Sequence, residues 1–156
     1  MVIRHRSRQL GRVRSSVVFG ATGATSRAVA IAAVMGFLVI AAFHASLALG
    51  APLGRAAWGG THTHLPTRLR VGSAIAVVVW LMASAIVLGR AGIDVVPLPP
   101  GVLRWGTWIL VGALLVGTLV NLASKSPWER FLWAPLAFAI AILCFMLARS
   151  PLDSAA

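Results

Sequence analysis

Acidic side chains are almost missing from this chain. Asp94, Glu129 and Asp153 are the only three in 156 residues. Asp94 and Asp153 lie outside the long apolar runs and Glu129 stands at the very start of one, so no carboxylate sits deep in a span to serve a transmembrane proton relay of the usual kind. Cysteine is as scarce. Cys144 alone allows no intrachain disulfide and no multi-cysteine zinc or iron–sulfur site, and its place in the last apolar run marks it as a small packing residue. Charged residues make up 11% of the chain against 59% hydrophobic ones, and the mean hydropathy is +0.90. So apolar a composition suits the bilayer, not water. Serine hydrolase chemistry is excluded too, for want of a nucleophile elbow and of a suitable acid and histidine arrangement.

The charge that is present is basic: fourteen Lys and Arg give a formal +11. In a soluble protein that balance points to nucleic acid, but no nucleic-acid module accompanies it here. The cations lie in an N-terminal segment and between apolar runs, where they orient helices and meet anionic lipid headgroups. Residues 1–27 hold Arg4, Arg6, Arg8, Arg12, Arg14 and Arg27 and no acid, a composition that reads as a disordered basic tail contacting anionic lipid.

Four apolar runs follow, over about 28–49, 71–88, 105–122 and 127–148. The first, free of Lys, Arg, Asp and Glu, rises about 33 Å as a helix, enough to cross the hydrocarbon. The expected fold is therefore all-α: a polytopic membrane protein with four transmembrane helices in an antiparallel bundle over 28–149, and a short tail over 150–156. Gly89-Arg90-Ala91-Gly92 and then Pro97, Pro99 and Pro100 end the second helix. With the N-terminus inside, nine Lys and Arg (six in the tail, then Arg90, Arg104 and Arg149) stand against five outside (Arg55, Arg68, Arg70, Lys125 and Arg130). That bias places both termini in the cytoplasm of a multi-pass cell-membrane protein. Ser46 and Ala48 also fit a signal-peptidase site, but the first run is longer than a usual signal core, so it reads as a retained span.

Ser126-Pro127-Trp128-Glu129 has the form of a capping box opening the fourth helix, with Ser126 and Glu129 each accepting from an orphan amide. Pro135 should bend that helix, and Pro151 should stop it. Ala32 and Gly36, Ala113 and Gly117, and Ala137 and Ala141 stand four apart, the spacing that lets helices approach closely in lipid. Trp105, Trp108, Trp128 and Trp133 suit interfacial belts, Trp80 is placed for mid-span packing, and Asn121 for a bond across helices.

Two motifs invite a cofactor. Residues 17–26 imitate the glycine-rich turn of a nucleotide-binding unit, but Ser26 occupies the third glycine position, no acid precedes Asp94, and a membrane span follows. Thr61-His62-Thr63-His64 puts two imidazoles on one side of an extended segment, and His44, within two turns of a helix end, is the natural third ligand. No acid is near them in sequence and cations surround them, so interfacial histidines are the simpler reading. Bis-histidine haem ligation needs a second helical histidine, which an oligomer alone supplies.

Two interhelical stretches, Leu49-Gly50-Ala51-Pro52-Leu53-Gly54 through Ala57-Trp58-Gly59-Gly60 to Leu65-Pro66-Thr67-Arg68-Leu69-Arg70, and Asn121-Leu122-Ala123-Ser124-Lys125-Ser126-Pro127-Trp128-Glu129-Arg130, have a distinctive texture. With the four spans they resemble a family of small bacterial integral membrane proteins, common in actinobacteria, with no assigned activity. The resemblance covers about residues 28–150. It implies a four-helix architecture and no catalytic residue or cofactor. It directs attention to one end of the bundle, where Arg55, Trp58, Lys125 and Trp128 form a candidate interaction surface. The expected function is that of a non-enzymatic accessory component meeting a protein partner, a second copy or anionic lipid; the alternatives are an oligomeric small-solute transporter or channel, and a metal or haem redox protein using His44, His62 and His64.

Overall fold

The computed structural model describes the backbone of residues 3–150 and the side chains of residues 23–150. All regular structure among them is helical. Helix α1 (Ile3–Ala48) is followed by two short 3₁₀ turns, Gly54–Ala56 and Trp58–Gly60, then by α2 (Thr67–Arg90) and α3 (Pro100–Ala123); a π turn, Glu129–Trp133, leads into α4 (Ala134–Arg149). Four stretches, Gly23–Ala48, Thr67–Arg90, Pro100–Ala123 and Glu129–Arg149, are long and apolar enough to cross a membrane. The shortest has 21 residues, a rise of about 32 Å, which matches the hydrocarbon thickness. The architecture is that of an all-α, multi-pass membrane protein.

The helices outrun their charge-free cores. Pro66, with extended backbone at φ −65° and ψ 156°, ends the loop before α2, so Arg68 and Arg70 lie in the first turn, within reach of the interface. Pro100 opens α3, where a missing N–H costs nothing. The backbone of α1 is helical through residues 3–27 as well, where the sequence suggested disorder; no proline interrupts the ladder there. Residues 17–26 are thus helical, not a strand and turn. Pro151 and the remainder of the C-terminal tail lie outside the described residues.

Side-chain size sorts the faces. Large apolar groups such as Met35, Ile75, Met82, Ile109, Val116, Leu119 and Phe131 are exposed, while Ala30, Ala33, Ser73, Ala83, Ala137 and Ala141 are buried. Burying small residues and exposing large apolar ones is what lipid rewards, because close backbone packing and not water exclusion holds such helices together. Helix α1 packs on α2 and α3 on α4, and the α1–α4 and α2–α3 contacts close the ring. Phe37 stacks on Trp80 with centroids 5.5 Å apart, giving Trp80 the packing role expected of it. Thr107 and Thr118 donate to the carbonyls of Leu103 and Leu114 in their own helix, which keeps buried hydroxyls satisfied without a partner helix.

The small-residue pairs divide. A Cβ on Gly36 would stand 2.6 Å from Ile140 Cδ1, and Ala137 and Ala141 are buried, so α1 and α4 do approach closely at these positions. Ala32 faces outward. Ala113 is exposed too, and nothing lies within 4 Å of a Cβ built on Gly117; that pair faces open space, not a neighbouring helix.

Two polar details depart from expectation. Arg90 is buried at 6% exposure, and its guanidinium donates to the carbonyls of Ala148 and Ser150. It is no free loop cation, then, but a cross-helix cap on the carbonyl-rich end of α4, where the helix dipole favours positive charge. Ahead of Pro135 the Ala134 N–H reaches back five residues to the Glu129 carbonyl. The sequence pointed to a bend; the backbone supplies a wider turn, which gives the proline ring room beside the preceding turn.

Substituting Gly36→Leu should lower stability by ~1–3 kcal/mol through overpacking against Ile140, read as a fall in the thermal midpoint in mild detergent. Gly112→Ala, at a site with open space around it, should leave that midpoint unchanged or raise it slightly.

Candidate functional site

The segment joining α1 to α2 folds back over one end of the bundle. Gly50 has φ 98°, and Arg70 Nε donates to the Ala48 carbonyl at 3.0 Å, so a cation from the first turn of α2 caps the end of α1. Trp58 has φ 54° and is followed by Gly59 at 81° and Gly60 at 70°. A left-handed conformation costs a non-glycine residue roughly 1–2 kcal/mol. The indole offsets it: Nε1 donates to Ser73 Oγ at 3.1 Å, and the ring lies on Gly72, where a Cβ would sit 3.2 Å from it.

This turn presents three backbone groups to the connection between α3 and α4, and each finds a side-chain partner. The Gly59 N–H donates to both oxygens of Glu129, at 3.1 and 3.2 Å. The Arg55 carbonyl accepts from Ser126 Oγ at 2.8 Å, and the Ala56 carbonyl from Trp133 Nε1 at 2.9 Å. Ser124 Oγ donates to the same Glu129 carboxylate. Glu129 is only 8% exposed, so the Gly59 amide and the Ser124 hydroxyl supply its solvation.

The capping box is therefore corrected. Neither Ser126 nor Glu129 caps its own helix, and no side-chain cap is made there; both reach across to the other connection. The physical reason is competition: buried orphan amides and carbonyls cost more than the helix's own wet first turn. Trp133, expected in an interfacial belt, is turned inward, its ring tilted against that of Phe43 with centroids 4.4 Å apart.

Beneath the loop lies a cavity of about 680 Å³ at the centre of the helix ring. His44, His62, Arg68, Asn121, Glu129 and the rings of Phe43, Trp58 and Trp133 line its loop end, with Ile40, Trp80, Leu114 and Ala137 deeper. His44 meets Phe43 and Trp58 edge-on, at 5.9 and 6.4 Å, and its Nδ1 is buried without a hydrogen-bond partner. Asn121 makes no bond across helices and borders this space instead. His62 bonds Thr61 Oγ1 at 2.7 Å. His64 is exposed and does not reach the cavity. Two of the three histidines share the site, and among the described residues no group of three His, Cys, Asp or Glu is placed to hold a metal ion.

A second, smaller groove of about 420 Å³ runs along the outer side of the same loop, lined by Arg55, Lys125 and Trp128 with Gly59, Gly60, Thr61, Ser126 and Pro127. Three of the four residues read as a candidate surface are thus brought together, with Trp128 57% exposed. The fourth, Trp58, serves the inner cavity. Sequence reasoning missed the inner site because its polar members come from all four helices. Its one available signal was Glu129, the single acid bordering an apolar run.

Glu129→Ala should free the loop. The expected result is a loss of about 1.5–3 kcal/mol in thermal stability together with rapid tryptic cleavage at Arg55, which the wild type resists. Ser124→Ala, which removes one donor to the same carboxylate, should be milder, and the two losses should not add. Comparison with protein-family models, curated proteins and solved structures finds no match to this chain.

Proposed function

We propose that this protein is a non-enzymatic accessory component of the cell membrane, with both termini cytoplasmic, that acts by binding a partner at the loop-bearing end of its bundle. The observation that carries this reading is the groove holding Arg55, Lys125 and Trp128, mounted on a loop whose backbone is tied to the α3–α4 connection by Glu129, Ser126 and Trp133. Preorganised loops bind without a large ordering cost. Two cations beside an exposed indole favour an acidic contact, since the nearest carboxylate, Glu129, is already engaged inward. Glu129 is committed to holding the loop, and Cys144 is buried in the bundle. The inner cavity stops at Leu114 and Trp80, above the buried layer of Val111, Ile140, Ala141 and Cys144, which supports binding over conduction through a single bundle.

A photo-crosslinking residue in place of Trp128, activated in native membranes, tests the reading. A discrete protein adduct that disappears on Arg55→Glu and Lys125→Glu is expected, and the same probe at the outward-facing Met82 should give none. Equal labelling at both positions, or labelling indifferent to the charge reversals, would overturn the assignment.

A further inference from the structure

We propose that the central cavity is a binding site for a single-chain anionic amphipath that enters from the bilayer, with its headgroup beneath the loop and its chain running toward mid-bundle. The volume, about 680 Å³, falls in the range of sites that enclose a drug-sized ligand. Its lining is graded. His44, His62, Arg68 and Asn121 gather at the loop end and Trp80 and Leu114 form the floor; Asn121 and Leu114 are seven residues apart on α3, about 10 Å along the axis. A polar end near the membrane surface and an apolar end in its interior is the polarity profile of a lipid-like molecule.

The entrance lies between α2 and α3. Near their shared connection these helices touch, with a Cβ on Gly89 falling 2.8 Å from Leu103 and one on Gly106 falling 3.2 Å from Ile86. Toward the loop end a Cβ on Gly117 would meet nothing within 4 Å, and Val120, one of the cavity's walls, is 63% exposed. That face of the bundle borders lipid, so a chain reaches the cavity sideways without crossing water.

The sign of the headgroup follows from what is already satisfied. Glu129 is the single carboxylate on the lining, and it is held by the Gly59 amide and the Ser124 hydroxyl. Arg68 makes no ion pair with it. What remains for a ligand is a guanidinium, the Asn121 amide and the imidazole of His44, whose buried Nδ1 lacks a partner. These groups suit a carboxylate or a phosphate monoester or diester. This site uses none of the groove residues on which the accessory reading rests, so either can fail alone.

The test uses full-length protein in mild detergent and 9,10-dibromostearate, whose bromines quench indole fluorescence on contact; Trp58, Trp80 and Trp133 all border the cavity. Saturable quenching is expected in the wild type. Gly117→Leu, which fills the space from a position with no clash at Cβ, should abolish the saturable component while keeping the wild-type thermal midpoint. Arg68→Gln, at an exposed position, should weaken binding roughly tenfold. Displacement by oleate identifies a fatty-acid carboxylate as the ligand class, and displacement by lysophosphatidylglycerol a lipid phosphate; either supports the site. Equal displacement by the uncharged monoolein, quenching unaltered by Gly117→Leu, or no saturable quenching at all would overturn it.

Discussion

The loop-bearing end of this protein depends on one buried carboxylate. Glu129 stands where the chain enters its last span, 8% exposed, and its two oxygens take the Gly59 amide from the far connection and the Ser124 hydroxyl from the near one. In a low-dielectric setting every backbone group needs a partner. A connection lying over the end of a membrane bundle has few within reach. Glu129, Ser126 and Trp133 supply three, and in doing so they fix the turn that carries Trp58 over the cavity and Arg55 over the outer groove. One anionic side chain thus positions the walls of two different sites.

The rest of the bundle follows a second constraint, that of lipid as solvent. Small residues such as Ala30, Ala33, Ser73 and Ala83 face inward and many large aliphatic residues face outward, and α1 and α4 approach closely where Gly36 meets Ile140. Where the small residues of α3 have no partner, at Ala113 and Gly117, the same packing rule leaves a void instead of a contact. At the opposite end Arg90 closes the carbonyls of α4. The two ends are therefore chemically different: one is sealed by a guanidinium on carbonyls, the other is roofed by an ordered loop above an open centre.

Much of the fold was legible in the sequence because length and hydropathy act locally. Four apolar runs, separated by proline and glycine, sufficed to place four helices, and the errors were at their ends, where helices that begin just after Pro66 and at Pro100 take in Arg68 and Arg104. The site was legible only in part. Arg55, Lys125 and Trp128 come together in one groove because they belong to two connections at the same end of the bundle. The role of Glu129 was not legible, because a capping box and a cross-loop clasp share the same local pattern and differ only in what lies opposite. The cavity was invisible for the same reason: a glycine that faces a neighbour and a glycine that faces a void are the same letter.

Hydrogen exchange at the loop tests the central claim most directly. If Glu129 holds the Gly59 amide, a peptide spanning residues 56–62 in the wild-type protein exchanges slowly, at a rate close to that of the helices beside it, whereas a peptide spanning residues 93–98 of the α2–α3 connection exchanges much faster. Equal and rapid exchange in both connections would mean that the loop is not clasped and that neither site has the walls described for it.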